Sequence, residues 1–343
     1  MKRINLALQG GGAHGAFTWG VLDRLLSEDD LEIAAISGTS AGALNAVALK
    51  AGYVTGGAQG ARKNLDWVWE QIGAISDPML AQWLSAMSPA TPFLAQALKY
   101  SPAFMAFDMA TRMMSPYAFG SAARNPLQDV LEQIHFDAVR APMGPPIHIC
   151  ATNVRSGKIR VFSGHEIGPD QILASACLPT LFQAVEIDDP KTGKREAYWD
   201  GGYTGNPALF PLFDKDLPAD IVIVNINPLH REDIPTDPQS IQNRINEIGF
   251  NTSLLRELRA IDFVQRLLDH GNVPKGTMKD VLVHMIADDP LMNELSVATK
   301  TIPTPITLAR LKSAGRAAAD RFLGDHKADL GQTSTVDLAA MFN

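Results

Sequence analysis

Three short segments hold residues that could do chemistry together. The first, Gly10-Gly11-Gly12-Ala13-His14-Gly15, follows a short apolar run and precedes a helix-like one. Glycines placed there let backbone N–H groups face a ligand, and a helix starting there adds partial positive charge. A phosphate or a developing oxyanion would suit it equally. The same residues satisfy the dinucleotide-binding spacing G-x-G-x-x-G, with Asp29, Asp30 and Glu32 near the distance of a ribose-binding acid. The second, Gly38-Thr39-Ser40-Ala41-Gly42, lies between an apolar run and a helix-prone stretch, the setting of a nucleophile elbow. A tight turn with Ser40 capping a helix is the plainer alternative. The third is Asp200-Gly201-Gly202. Aspartate before two glycines can hold a carboxylate on a tight turn close to another backbone, although an Asp-Gly hairpin turn is the commoner meaning.

A serine hydroxyl is a poor nucleophile without an adjacent base. The histidines are His14, His135, His148, His165, His230, His270, His284 and His326, and none sits in a recognisable catalytic context. His148 and His284 fall inside apolar runs and read as core or edge residues. His14 sits in the glycine loop, with its ring expected to lean away from the backbone donors. Asp200 is therefore the better candidate base. Asp188-Asp189 and Asp288-Asp289 are isolated acidic pairs that read as solvated turns, and no calcium-binding loop is recognisable. No metal and no cofactor is expected.

Elements must position these residues. Ile4–Gln9 and Ile33–Ser37 read as buried strands, and Ala16–Leu26 and Ala41–Ala51 as helices. Ile147–Thr152 and Ile221–Asn227 read as further strands, with shorter ones at Lys158–Phe162 and Glu196–Trp199. Late helices are expected over Asn251–Asp269 and Thr307–Leu323. The opening order, β-loop-α-β-turn-α, predicts an α/β fold with a mostly parallel sheet covered by helices. Between Asp77 and Phe119 lie Met79, Met87, Met105, Met109, Met113 and Met114 among several aromatics. Methionine adapts to varied apolar partners, so this stretch reads either as a cap over an acyl-chain pocket or as a helical insertion packing its own core.

Composition bounds the function. With 46% hydrophobic and 20% charged residues over 343, disorder, a fibre and a polytopic membrane protein are all excluded. A net charge of −7 argues against nucleic acid as partner. Cys150 and Cys177 are too few for a disulfide framework, so a reducing compartment is the default. Only Ile4–Leu8 follows Lys2 and Arg3 before polar Gln9, too short for a signal-peptide core. The uncharged stretch Pro78–Leu98 carries three prolines and does not read as a membrane span. The expected location is the cytoplasm, with transient contact at the inner membrane face. Whether the chain forms a homo-oligomer is left open.

The three motifs in this order resemble the patatin-like phospholipases and lipid acyl hydrolases. Ile149–Val154 with Ser156-Gly157-Lys158, the segment Leu173–Pro179 with its A-S-x-x-x-P pattern and Phe182, and Asn125-Pro126-Leu127 agree with that resemblance. It covers about residues 4–55 and 125–230. It implies a single three-layer α/β/α domain over residues 1–343, with residues 77–119 as an inserted helical cap. It further implies a carboxylic-ester hydrolase acting on lipids through a Ser-Asp dyad and an acyl-enzyme. Ser40 would be the nucleophile and Asp200 the general base. The oxyanion hole would lie along Gly10, Gly11, Gly12 and Gly15 with Ala41. Gly11 and Gly12 would donate, and Gly10 would shape the turn. Gly38, Thr39, Gly42, Gly201 and Gly202 would complete the motifs. Two residues depart from the family pattern: Gln9 stands where plant members carry an acid, and His14 where many bacterial members carry Arg or Lys. A neutral His14 would weaken the positive field at the loop. The alternatives kept beside this reading are a dinucleotide-binding protein and a catalytically silent member of the same fold.

Overall fold

The structure, a computed structural model, describes residues 1–75, 115–118, 125–236, 238–274, 276–295 and 304–342. Apart from residues 115–118, the methionine-rich segment 77–119 lies outside the described residues. The opening unit is strand β1 (Lys2–Leu8), a 3-10 turn over Gly12–His14, helix α1 (Gly15–Leu25), strand β2 (Leu31–Thr39) and helix α2 (Ala41–Ile75). Both expected strands and the first helix are present. The helix expected over Ala41–Ala51 runs on to Ile75 and breaks its helical backbone at Gly56 and Gly57.

Short helices α3 (Leu127–Leu131) and α4 (Phe136–Arg140) lead to strands β3 (Ile147–Asn153) and β4 (Ile159–Ser163). Helix α5 (Pro169–Ser175), strands β5 (Val185–Asp189) and β6 (Lys194–Asp200), and strand β7 (Asp220–Val224) follow. Helix α6 (Pro238–Asp269), strand β8 (Leu282–Ile286) and helices α7 (Asp289–Glu294), α8 (Pro305–His326) and α9 (Leu338–Phe342) complete the chain.

The sheet runs β5-β6-β3-β2-β1-β7-β8, with β4 paired to β3 off this path. Its centre, β3-β2-β1-β7-β8, is parallel, while β4, β5 and β6 are antiparallel additions at one side. Alternation along the strands makes two apolar layers, because successive side chains point to opposite faces. Ile4, Leu6 and Leu8 of β1 with Val222 and Val224 of β7 pack on one face with α1, α2 and α8. Ala7, Ala35, Ile221 and Ile223 pack on the other with Leu254, Leu258 and Ile261 of α6. The result is a three-layer α/β/α sandwich. Among the described residues, no helix is long and apolar enough to cross a membrane.

Strand β3 has one edge shared by two partners. Ile147–Cys150 pair with β2, and Ala151–Asn153 pair with β6. Strand β4 occupies the other edge across His148–Thr152. Strand β6 therefore enters where β2 stops, which sets the end of β6 against the end of β2.

Candidate active site

Strand β2 ends at Thr39 and α2 opens at Ala41, so Ser40 alone makes the turn. Its φ is +54°, and it is the one non-glycine with positive φ among the described residues. A Cβ is crowded in that conformation, so the surroundings must enforce it. Two close approaches explain the glycines on either side. A Cβ on Gly42 would lie 2.1 Å from the Leu8 carbonyl oxygen, and one on Gly10 would lie 2.7 Å from the Ser40 Cβ. The Ser40 amide donates to Ser175 Oγ at 2.8 Å. Below the turn, Thr39 Oγ1 donates to the Gly205 carbonyl and Ser37 Oγ to the Ala208 carbonyl, each at 2.6 Å.

Asp200 closes β6 opposite Ala151, one position along β3 from Cys150, the partner of Thr39. That register sets Ser40 beside Asp200, near enough for the serine side chain to act on the carboxyl. The rest of Asp200 is held on every side. Its amide donates to the Cys177 carbonyl at 2.8 Å. Its carbonyl accepts from Thr152 Oγ1 at 2.8 Å, and its Oδ1 accepts from the Gly202 amide at 2.7 Å. The residue is 3% exposed. Burial disfavours the charged form and pushes the carboxyl up to about 7, against the downward pull of the Gly202 hydrogen bond and the neighbouring Ser40 side chain.

The glycine loop is pinned by buried amides. The Gly10 amide donates to Asn206 Oδ1 at 2.7 Å, and the Gly10 carbonyl accepts from Asn227 Nδ2 at 2.7 Å. Gln9 Oε1 accepts from the Ile226 and Asn227 amides at 2.9 and 3.0 Å, and Gln9 Nε2 reaches Asn251 Oδ1 at 3.3 Å. Asn45 Nδ2 donates to the Gly15 carbonyl at 3.0 Å, joining the start of α1 to α2. With Gly12 at φ +59°, the chain turns sharply into α1. The amides of Gly11 and Gly12 have no acceptor among the described residues. Ala41 heads α2, where first-turn amides lack intrahelical partners.

Of the residues expected along the oxyanion hole, Gly10 and Gly15 have their amides engaged elsewhere. The Gly10 amide is committed to Asn206, and the Gly15 amide turns back onto the Gly12 carbonyl. Gly11, Gly12 and Ala41 remain. The ribose-binding acid of the dinucleotide alternative is also misplaced. Leu31 and Glu32 pair with Lys2 and Arg3, at the end of the sheet where β1 begins, whereas the glycine loop lies where β1 ends. Glu32 meets Arg3 at 3.2 Å, and Asp30 pairs with Lys327 at 2.6 Å.

His14 is buried in the 3-10 turn, and His284 is buried against Asp220 at 3.0 Å. Asp189 is not a solvated turn. It is 1% exposed and receives the Arg160 guanidinium at 2.8 and 2.9 Å together with the Tyr198 hydroxyl at 2.5 Å. Asp288 caps α7 through the Leu291 amide at 3.2 Å. Among the described residues no cluster of His, Cys, Asp or Glu is arranged to hold a metal ion.

The reading of motifs missed Ser175, Asn227 and Asn251 as partners of the site. Ser175 and Asn206 do lie within segments that stood out, the A-S-x-x-x-P run and the run after Asp200. Asn251 carries no local signal, because its role arises from α6 packing beside the loop.

A hydroxyl on a strained turn next to a buried carboxyl, with unclaimed backbone amides nearby, is the kind of arrangement that suits acyl transfer, and the class it points to is the acyl hydrolases. Residues 6–213 match the family described as patatin-like phospholipase. The chain belongs to that family, whose general chemistry is lipid acyl hydrolysis. Among solved structures, VipD from Legionella pneumophila aligns with 95% of this chain and 67% of its own, at 15% identity and a TM-score of 0.41. No curated protein matches the chain.

Proposed function

We propose that this protein is a serine carboxylic-ester hydrolase that cleaves lipid esters through a Ser-Asp dyad and an acyl-enzyme. The observation that carries the reading is the strand register that sets Ser40, on its positive-φ turn, beside the buried Asp200, whose carboxyl burial pushes up to about 7. A base poised near neutral pH combines sufficient ionisation with a real driving force for taking a proton.

In acylation, Ser40 Oγ attacks the ester carbonyl carbon as its proton passes to Asp200. Negative charge develops on the carbonyl oxygen, and the Gly11 and Gly12 amides are the donors at hand, with Ala41 beside them. Each donor aimed at that oxygen contributes about 3 kcal/mol to the transition state. Asp200 returns the proton to the departing alkoxide, which leaves as the alcohol. In deacylation the same carboxylate takes a proton from water as its oxygen attacks the acyl carbon; the Ser40 C–O bond then breaks, the acyl group leaves as a carboxylic acid, and Asp200 returns the proton to Ser40 Oγ. The substrate class is a lipid ester met at a membrane surface, and the location proposed is the cytoplasmic side.

A fluorophosphonate probe and p-nitrophenyl esters of several chain lengths test the reading. Ser40 is expected to label stoichiometrically, with turnover and labelling both absent in Ser40→Ala. Asp200→Asn should keep the fold and lose most turnover. A well-folded protein that neither labels nor turns over esters would instead be a silent member of the family.

A further inference from the structure

The C-terminus of α5 contacts the backbone of both dyad residues, and its contacts have no part in the chemical steps above. Ser175, the last residue of α5, is fully buried and accepts the Ser40 amide on Oγ at 2.8 Å. Two residues on, the Cys177 carbonyl accepts the Asp200 amide, also at 2.8 Å. One three-residue segment thus grips the backbone of both members. The grip on Ser40 falls at the residue whose positive φ the chain would otherwise relax. The grip on Asp200 is main-chain to main-chain, so among the described residues Ser175 supplies the side-chain half of the bridge.

We propose that Ser175 is a positioning residue for the acyl-transfer reaction. Through its bond to the Ser40 amide, it couples the elbow to the segment that holds Asp200 and so sets the separation across which the proton moves. This inference rests on the Ser-Asp reading. The physical ground is that proton transfer needs hydrogen-bond distance between the partners, and a misplacement of about 1 Å costs on the order of a hundredfold in rate. The A-S-x-x-x-P run would then owe its serine to the dyad and not to α5 itself, where Ser175 occupies the last turn.

The test compares the full chain with Ser175→Ala, Ser175→Cys and Ser175→Thr. Turnover of p-nitrophenyl butyrate, the rate of fluorophosphonate labelling at Ser40, and backbone hydrogen exchange are measured for each. Ser175→Ala is expected to lower kcat by roughly 10- to 100-fold with KM within about twofold, and to slow labelling by the same factor. Ser175→Cys, with similar shape and a weak sulfur acceptor, should fall between, and covers the case in which the alanine variant does not fold. Ser175→Thr keeps the hydroxyl and should recover most of the rate. Exchange in peptides containing Ser40 should quicken in the alanine and cysteine variants. Wild-type labelling rates in both would overturn the proposal, as would unchanged exchange at Ser40. If the wild type itself does not label, the ester-hydrolase reading fails, and hydrogen exchange still decides whether Ser175 holds the elbow.

Discussion

Replacing Asp200 by asparagine should stabilise the protein while removing its activity, and the gain should depend on pH in a defined way. Asp200 is buried and its carboxyl is raised from the ordinary 3.8 to about 7. The folded state therefore holds a proton that the unfolded chain releases as pH rises past about 4. Stability linked to this group is fully present below pH 4, declines between 4 and about 7, and is lost above that. The interval from 3.8 to about 7 corresponds to about 4 kcal/mol, falling at about 1.4 kcal/mol per pH unit. Asparagine stays neutral and can still accept the Gly202 amide. Glu257, raised by burial to about 7 while capping the Leu209 and Phe210 amides, is common to both proteins and cancels in the difference. Urea unfolding of wild type and Asp200→Asn at pH 4, 5.5, 7 and 8.5 gives the curve directly. The two should nearly coincide at pH 4 and separate by a few kcal/mol at pH 8.5. A difference that does not change with pH, or a variant less stable at pH 8.5, would refute the claim that this carboxylate is charged at a cost. The same ionisation should appear in wild-type kcat/KM as an acid limb with its midpoint near 7, falling about tenfold per pH unit below it.

Gly42→Ala should fold poorly, since the new methyl would lie 2.1 Å from the Leu8 carbonyl oxygen; overpacking of this kind costs about 1–3 kcal/mol or more, read by the urea midpoint and soluble yield. Asn206→Ala should leave the Gly10 amide without its 2.7 Å acceptor, and fluorophosphonate labelling at Ser40 should slow by at least about tenfold as the loop loses its pin. Asp189→Asn should cost roughly 3 kcal/mol in urea unfolding, because it leaves the buried Arg160 guanidinium short of a countercharge, while labelling of Ser40 is retained.

Much of the local architecture was legible before any coordinates. The glycine loop, the elbow and the turn after Asp200 each declare themselves over five or six residues, because a residue with positive φ or a backbone approach without room for a Cβ restricts composition locally. Strand β1 and strand β2 followed from short apolar runs. Element ends were less legible. Helix α2 continues past Ala51 because its later turns bury Leu65, Val68 and Trp69, and α6 begins at Pro238, well before Asn251. Strand β5 and the burial of Asp189 went unread, since an acidic pair in sequence looks solvated until Arg160 and Tyr198 are brought to it from other strands.

From the chain alone came the chemical identities: a serine at an elbow, a carboxylate on a glycine turn and a nest of glycine amides, each positioned by its own neighbours. Tertiary structure decided that they meet. Strand β6 enters along β3 where β2 ends, so residues 40 and 200 become adjacent through a register set by strand pairing across more than a hundred intervening positions. It also decided which glycine amides stay unclaimed, because Asn206, arriving from beyond β6, takes the Gly10 amide. Local sterics are written in local residue types. Strand order and the burial that lifts the Asp200 carboxyl arise from the whole packed sheet, which no short segment encodes.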